Sequence, residues 1–273
     1  MKLRILWPLV FVLIAACSDR PETATQTQAA SPAPVSAPQS TASPGEAAPR
    51  PETPAAAAPA TAVDSPRIEL AQAEAGAGGD LIAAAGFQAG VHYQRLSPTQ
   101  PTSSSPDQIE VAEFFMYSCP HCYNFEPYIA QWLTTKPDYV NFVRIPTVWN
   151  PLVRSHAQAF YAAEALGKLD EMHTPFFREM HVNGNYLDSE DAIAQFFSRF
   201  GVDNKTFKEA FDSFSVHTKL QRADELTRRY RVTGTPSIVV NGKYVATASM
   251  TGSYEKLLEL VDVLVAAEHA AQN

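Results

Sequence analysis

The chain is predicted to be an α/β domain carrying an inserted helical subdomain, on three observations. Strand-length apolar runs occur at 109–117, 139–145, 237–240 and 244–247, separated by helical stretches. Between 151 and 215 no such run occurs. Instead, four helical patterns follow one another, broken by Gly167, by Asn183-Gly184-Asn185 and by Gly201. Finally, Asn241-Gly242 sits between two short apolar runs, the signal of a tight hairpin.

The N-terminal third lies outside that domain. Residues 1–16 carry Lys2 and Arg4 and then an apolar run from Ile5 to Ala16, too short to span a bilayer but the length of a signal-peptide core. The run ends Ile14-Ala15-Ala16-Cys17, which resembles the lipobox of bacterial lipoproteins, so Cys17 is expected to be the lipidated first residue of an exported protein. Residues 17–84 hold ten of the 21 prolines among Ala, Ser, Thr and Gln. Such a composition cannot bury enough apolar area to offset its ordering entropy, and the stretch reads as a tether of about 45 Å root-mean-square reach. A short apolar patch from Leu81 to Phe87 is a candidate start of the folded unit, whose domain is placed at 85–273 with its helical insertion at about 151–215.

Within that unit, Val91 to Leu96 alternates and reads as an edge strand. The strand from Ile109 to Tyr117 feeds a helix from Cys119 to about Thr135, kinked at Pro127, and Tyr139 to Ile145 returns as a strand. Helical patterns cover Ala157–Leu166, Leu169–Met180, Ser189–Phe200 and Lys205–Phe214. Val216, Leu220, Ala223, Leu226 and Tyr230 then fall on one face of a further helix. A Thr235-Pro236 loop, the hairpin strands 237–240 and 244–247, and a helix from Ser253 to about Ala270 complete the chain.

The chemistry concentrates in EFFMYSCPHCYNFE, residues 113–126. Here a buried strand stops and a helix begins with Cys119, Pro120, His121 and Cys122. A helix N-terminus offers unpaired N–H groups and a partial positive charge, so it favours the Cys119 thiolate; a protonated or donating His121 adds to this, and Pro120 has no N–H to leave unpaired. A stabilised thiolate makes the Cys119–Cys122 disulfide ready to be reduced. With Cys17 set aside, these are the only cysteines, and a bridge closing so short a loop constrains little of the unfolded chain, so the pair reads as catalytic rather than structural.

Taken together, the CPHC at a strand-to-helix junction, EFF just upstream, and GTPSIVVNGKY more than a hundred residues later resemble the DsbA-like thiol:disulfide oxidoreductases of the thioredoxin superfamily over roughly residues 90–270. The resemblance implies a thioredoxin fold, a Cys119 that substrate attacks, a buried partner Cys122, a cis bond at Pro236 with Thr235 facing the disulfide, and Glu113 as a buried acid beneath the helix. It also implies an oxidant of reduced, unfolded exported proteins in the periplasm, reoxidised by a quinone-linked, DsbB-like membrane partner and needing no cofactor. A disulfide isomerase or reductase is the alternative within the superfamily, although known isomerases of this type carry a dimerisation domain that the tether does not offer. A soft-metal carrier using CPHC is the alternative outside it. Haem attachment is disfavoured because Tyr123 follows Cys122, and a closed zinc site lacks two further ligands of suitable spacing.

Other polar signals take plainer readings. Glu126 reads as a solvated helix acid, with proton handling as its alternative, and Arg144 as an unpaired cation, with pairing to Glu113 or Glu126 as its alternative. His156, His173, His181 and His217 read as surface or capping residues without ligand spacing. The aromatics Phe176, Phe177, Phe196, Phe197, Phe200 and Phe211 read as core, some bordering a substrate groove. A net charge of -8 without a basic cluster gives no reason to expect nucleic acid.

Overall fold

A computed structural model describes residues 77–272; the leader, Cys17 and most of the tether lie outside the described residues. The elements, in order, are α1 (Ala77–Ala84), β1 (Gln94–Arg95), β2 (Ile109–Phe115), α2 (Pro120–Leu133), β3 (Val140–Pro146), α3 (Pro151–Ala165), α4 (Leu169–His181), α5 (Glu190–Ser198), α6 (Asn204–Phe211), α7 (Phe214–Arg229), β4 (Ser237–Val240), β5 (Tyr244–Ala246), α8 (Ala248–Thr251) and α9 (Tyr254–Gln272). The strands form one sheet in the order β1-β5-β4-β2-β3, with β2 and β3 parallel and the other pairs antiparallel.

β2 is an interior strand between β4 and β3 and is buried along its whole length, so its residues pack to both sides in alternation. Ile109 and Val111 join a cluster with Phe125, Ile129 and Trp132 of α2 and Leu257, Leu260, Val261 and Leu264 of α9. Ala112 and Phe114 join the other, larger cluster with α3, α7 and the inserted helices. The helical insertion starts as expected at residue 151. Three of its four helices, and α7 after them, are capped by side chains that accept a first-turn N–H (Asn150, Ser189, Asp203 and Ser213, each worth about 1 kcal/mol), whereas α4 has no side-chain cap.

The hairpin between β4 and β5 turns through Asn241 (φ 49°) and Gly242 (φ 62°), closed by the Lys243 N–H donating to the Val240 carbonyl at 3.0 Å. Glycine is required at 242 for a second reason, since a Cβ there would lie 2.1 Å from the Gln100 carbonyl oxygen.

Two expectations change. The folded part begins before residue 85, because Ile82 of α1 is buried and Gly78 packs so closely on α9 that a Cβ would sit 2.9 Å from the Ala267 carbonyl oxygen. The edge strand predicted over Val91 to Leu96 shrinks to Gln94–Arg95, because the N–H groups of Val91 and His92 turn back to the Gln88 carbonyl. Pro127 lies inside α2, and the helix runs on past it to Leu133. Among the described residues, no helix is long and apolar enough to cross a membrane.

Candidate active site

Cys119 is the N-cap of α2: its backbone is extended (φ −88°, ψ 115°), and its sulfur accepts the Cys122 N–H at 3.4 Å. Pro120 occupies the first turn, where the missing N–H costs nothing. Both cysteines are free thiols, so this is the dithiol form. Cys119 keeps 5% of its surface and Cys122 none, so even the attacked cysteine is largely covered.

The two thiols have opposite proton affinities. Cys119 is pulled down from an ordinary value near 9 to about 5, chiefly because Cys122 donates a hydrogen bond to its sulfur. Burial opposes this, and Thr235 and the backbone N–H groups of Cys122 and His121 add to it. Cys122 is pushed far up by burial, and further by the negative charge of its neighbour. The peptide N–H of His121 is one of the donors that lower Cys119. Its imidazole is exposed, and its carbonyl accepts the Tyr254 O–H at 3.0 Å.

Pro236 follows a cis peptide bond, as the resemblance implied, and brings Thr235 over the helix end. Cys119 Sγ lies 3.4 Å from the Thr235 carbonyl oxygen, and the Thr235 hydroxyl, buried and without another partner, is the side-chain group that favours the thiolate. A cleft of about 360 Å³ opens here, lined by His121, Thr235, Pro236, Thr247, Ser249 and Tyr254 among others. The inserted aromatics are core instead of cleft: Phe176, Phe177, Phe196, Phe197 and Phe211 are buried and Phe200 partly so.

Beneath the helix lies a charged group that sequence reasoning read only in part. Glu113 of β2 is fully buried and stands opposite Arg144 of β3 in the parallel register. Arg144 Nε donates to Glu113 Oε2 at 3.2 Å, and its Nη2 reaches Glu126 at 3.3 Å. Glu126 is accordingly a buried, ion-paired acid and not a solvated one. Burial raises Glu113 to about 8 despite Arg144, with the Glu126 charge adding to the rise. Burial also opposes charge on Glu126, but His173 and Arg144 outweigh it and hold Glu126 below the ordinary carboxylate range.

Three of the four histidines read as surface residues do other work. His173 Nε2 lies 3.2 Å from Glu126 Oε1 and its Nδ1 lies 2.8 Å from the Tyr117 hydroxyl. His181 Nε2 lies 2.7 Å from the Tyr117 carbonyl oxygen, and its ring stacks on Tyr123 at 5.1 Å. His156 is buried with Nε2 3.1 Å from the carbonyls of Tyr186 and Leu187. Only His217 lies on the surface. The HxxxxxxxH spacing of 173 and 181 on α4 was the available signal, for it puts both rings on one side of a helix facing the active-site loop.

Comparison with known proteins agrees with this geometry. The chain is 36% identical over 193 residues to the thiol:disulfide interchange protein DsbA of Azotobacter vinelandii, covering 71% of this chain and 90% of that one. The chain belongs to the DsbA family. The DsbA of Pseudomonas aeruginosa is 37% identical over 68% of this chain and 87% of its own length. Its crystal structure superposes with a TM-score of 0.66, covering 69% of this chain and 97% of that one. The DsbA crystal structure from Xylella fastidiosa gives 0.64 at 31% identity. The sequence model of the DSBA-like thioredoxin domain matches residues 143–260, downstream of the cysteines, so the DsbA assignment rests on insertion and hairpin as well as on CPHC. The protein is a thiol:disulfide oxidoreductase of thioredoxin fold.

Proposed function

We propose that this enzyme donates its Cys119–Cys122 disulfide to reduced exported proteins in the periplasm. The observation that carries the reading is the contrast between a Cys119 thiol near 5 and a Cys122 thiol that keeps its proton. In the disulfide form, a substrate thiolate attacks the Cys119 sulfur and Cys122 leaves with the bond's electron pair, taking up a proton. The substrate's second thiolate then attacks its own sulfur in the mixed disulfide and expels Cys119 as a stabilised thiolate. Two electrons pass from substrate to enzyme, and the substrate leaves as a disulfide. Thr235 and Pro236 offer backbone to an extended substrate segment in the cleft, and Glu113 exchanges the proton of Cys122.

Reoxidation returns the two electrons to a quinone-linked membrane partner, on the analogy of the family. Cys17, as a lipidated N-terminus with the tether behind it, would keep the domain at a membrane surface. Incorporation of radiolabelled palmitate that is lost in Cys17→Ser tests that anchoring.

The reading itself is tested by mixing the oxidised protein with a reduced two-cysteine peptide. Rapid stoichiometric oxidation of the peptide is expected, whereas Cys122→Ser, which holds no disulfide to give, should leave the peptide reduced. A protein that retains its disulfide in the presence of excess dithiol peptide overturns it.

A further inference from the structure

Two carboxylates share one guanidinium beneath the active-site helix, yet their remaining contacts differ. Glu113 has one oxygen on Arg144 and the other, Oε1, buried without a partner. Glu126 receives Arg144 and, in addition, His173. An ionised carboxylate only accepts, so the hydrogen of His173 sits on Nε2, leaving Nδ1 to accept the Tyr117 O–H. Rings of Phe115, Tyr117, Phe160 and Phe177 within 6.0 Å enclose the imidazole and fix its orientation.

The geometry points to His173 and Tyr117 as positioning residues that make Glu113, and not Glu126, the carboxyl that exchanges the proton of Cys122. Glu126, satisfied from two sides, is the standing counter-ion of Arg144. Glu113, half-satisfied, is where a proton costs least. The inference rests on the reading of Cys122 as the leaving and resolving thiol.

The proton balance is simple. When Cys122 leaves Cys119 as a thiolate, it takes up a proton that the Glu113 carboxyl relays, and Glu113 regains its own proton from solvent, so both groups are protonated in the dithiol form. When Cys122 resolves or is reoxidised, the proton returns. The groups facing this exchange are Glu113 from β2, Arg144 from β3, Cys119, Cys122 and Glu126 from α2, Tyr117 from the loop before it, and His173 with Asp170 from α4. On the far side of Arg144, Glu164, Lys219 and Arg222 line a hollow of about 200 Å³. The proton affinities agree with the geometry: Glu113 is raised to about 8, Glu126 lies below the ordinary range, and burial keeps His173 below its usual value and hence neutral.

The test is a carboxyl ¹³C NMR titration of the full chain in its dithiol form, with Glu113 and Glu126 assigned through Glu113→Gln and Glu126→Gln. In the wild type, Glu113 is expected to titrate well above Glu126. His173→Gln keeps an amide N–H at the Nε2 position and should preserve that separation. His173→Asn, one methylene shorter, loses the donor to Glu126 and should narrow the separation by at least about one pH unit, the size of one charge-assisted hydrogen bond. An unchanged separation in His173→Asn, or an equal change in His173→Gln, overturns the inference. If His173→Asn does not fold, Tyr117→Phe decides instead: it removes only the O–H that holds Nδ1 as acceptor, and unmoved midpoints there overturn the inference equally. Peptide oxidation by the wild type is read separately, so failure of the redox reading cannot be mistaken for failure of this one.

Discussion

The Cys119 sulfur collects its stabilisation from groups the sequence placed and one it concealed. The helix start was visible in Ser118-Cys119-Pro120, and backbone N–H groups of residues 121 and 122 do reach the sulfur. The peptide N–H of His121 reaches the sulfur, while its exposed ring lines the cleft beside Thr235 and Pro236. The charged group was less legible: β2 and α2 each contribute one acid, and only the parallel register of Glu113 on Arg144 shows that both meet one guanidinium. The thiol itself supports a prediction about stability. A group whose proton affinity is depressed on folding stabilises the fold above its unfolded value and loses that contribution as pH falls through its folded value. For Cys119 the window runs from about 9 down to about 5, and it exists only in the dithiol form. Glu113 is common to both redox forms, and Cys122 keeps its proton when folded. The stability of the dithiol form relative to the disulfide form should therefore decline between pH 8 and pH 4, as read by chemical denaturation of both forms at each pH. A difference that does not vary with pH would contradict it.

Among the elements, α4 ties the inserted helices to the active-site loop. Its periodicity marked Phe176 and Phe177 as core, and both are buried. What periodicity could not show is that the same face carries His173 and His181 toward Tyr117, since hydrophobic spacing records which side of a helix is buried and not what it is buried against. Strand positions were read well where a turn signal bounded the run, as with β4 before the Asn241-Gly242 turn. They were read badly at β1, where an alternating run proved to be mostly turn. Phe177 packs with its centroid 4.9 Å from Tyr117, 5.3 Å from His173 and 5.9 Å from Phe115. Phe177→Ala should thus lower stability by about 3–5 kcal/mol. It should also slow peptide oxidation beyond what the lost stability explains, because the cavity releases the Tyr117 loop. A variant of wild-type stability by denaturant titration would show that α4 is not anchored through this ring.

At the scale of the molecule, the sheet separates two apolar clusters, and the cysteine pair sits where they meet: Cys122 packs with the inserted helices, while Phe125, one turn further along α2, packs with α9. The α9 side touches the site at its first residue, where Tyr254 donates to the His121 carbonyl at 3.0 Å, and otherwise supports the domain as a whole. Helix α1 belongs to that side. Its composition, Ala77 to Ala84 with two glycines, resembles the tether before it, which is why sequence reasoning set the boundary at 85. Its single large buried side chain, Ile82, and the close approach of Gly78 to Ala267 are contacts with residues nearly two hundred positions away, which no local pattern announces. Burying one isoleucine contributes roughly 1.5–3 kcal/mol, and for a domain of this size each kcal/mol moves the melting temperature by about 2–4 °C. A chain beginning at residue 85 should melt roughly 5–10 °C below one beginning at residue 77, with Cys119 titrating at the same pH in both, because α1 touches neither the CPHC turn nor the Thr235-Pro236 loop. Equal melting temperatures by differential scanning calorimetry would place α1 with the tether, and a shifted Cys119 titration would mean that α1 acts on the site through α9.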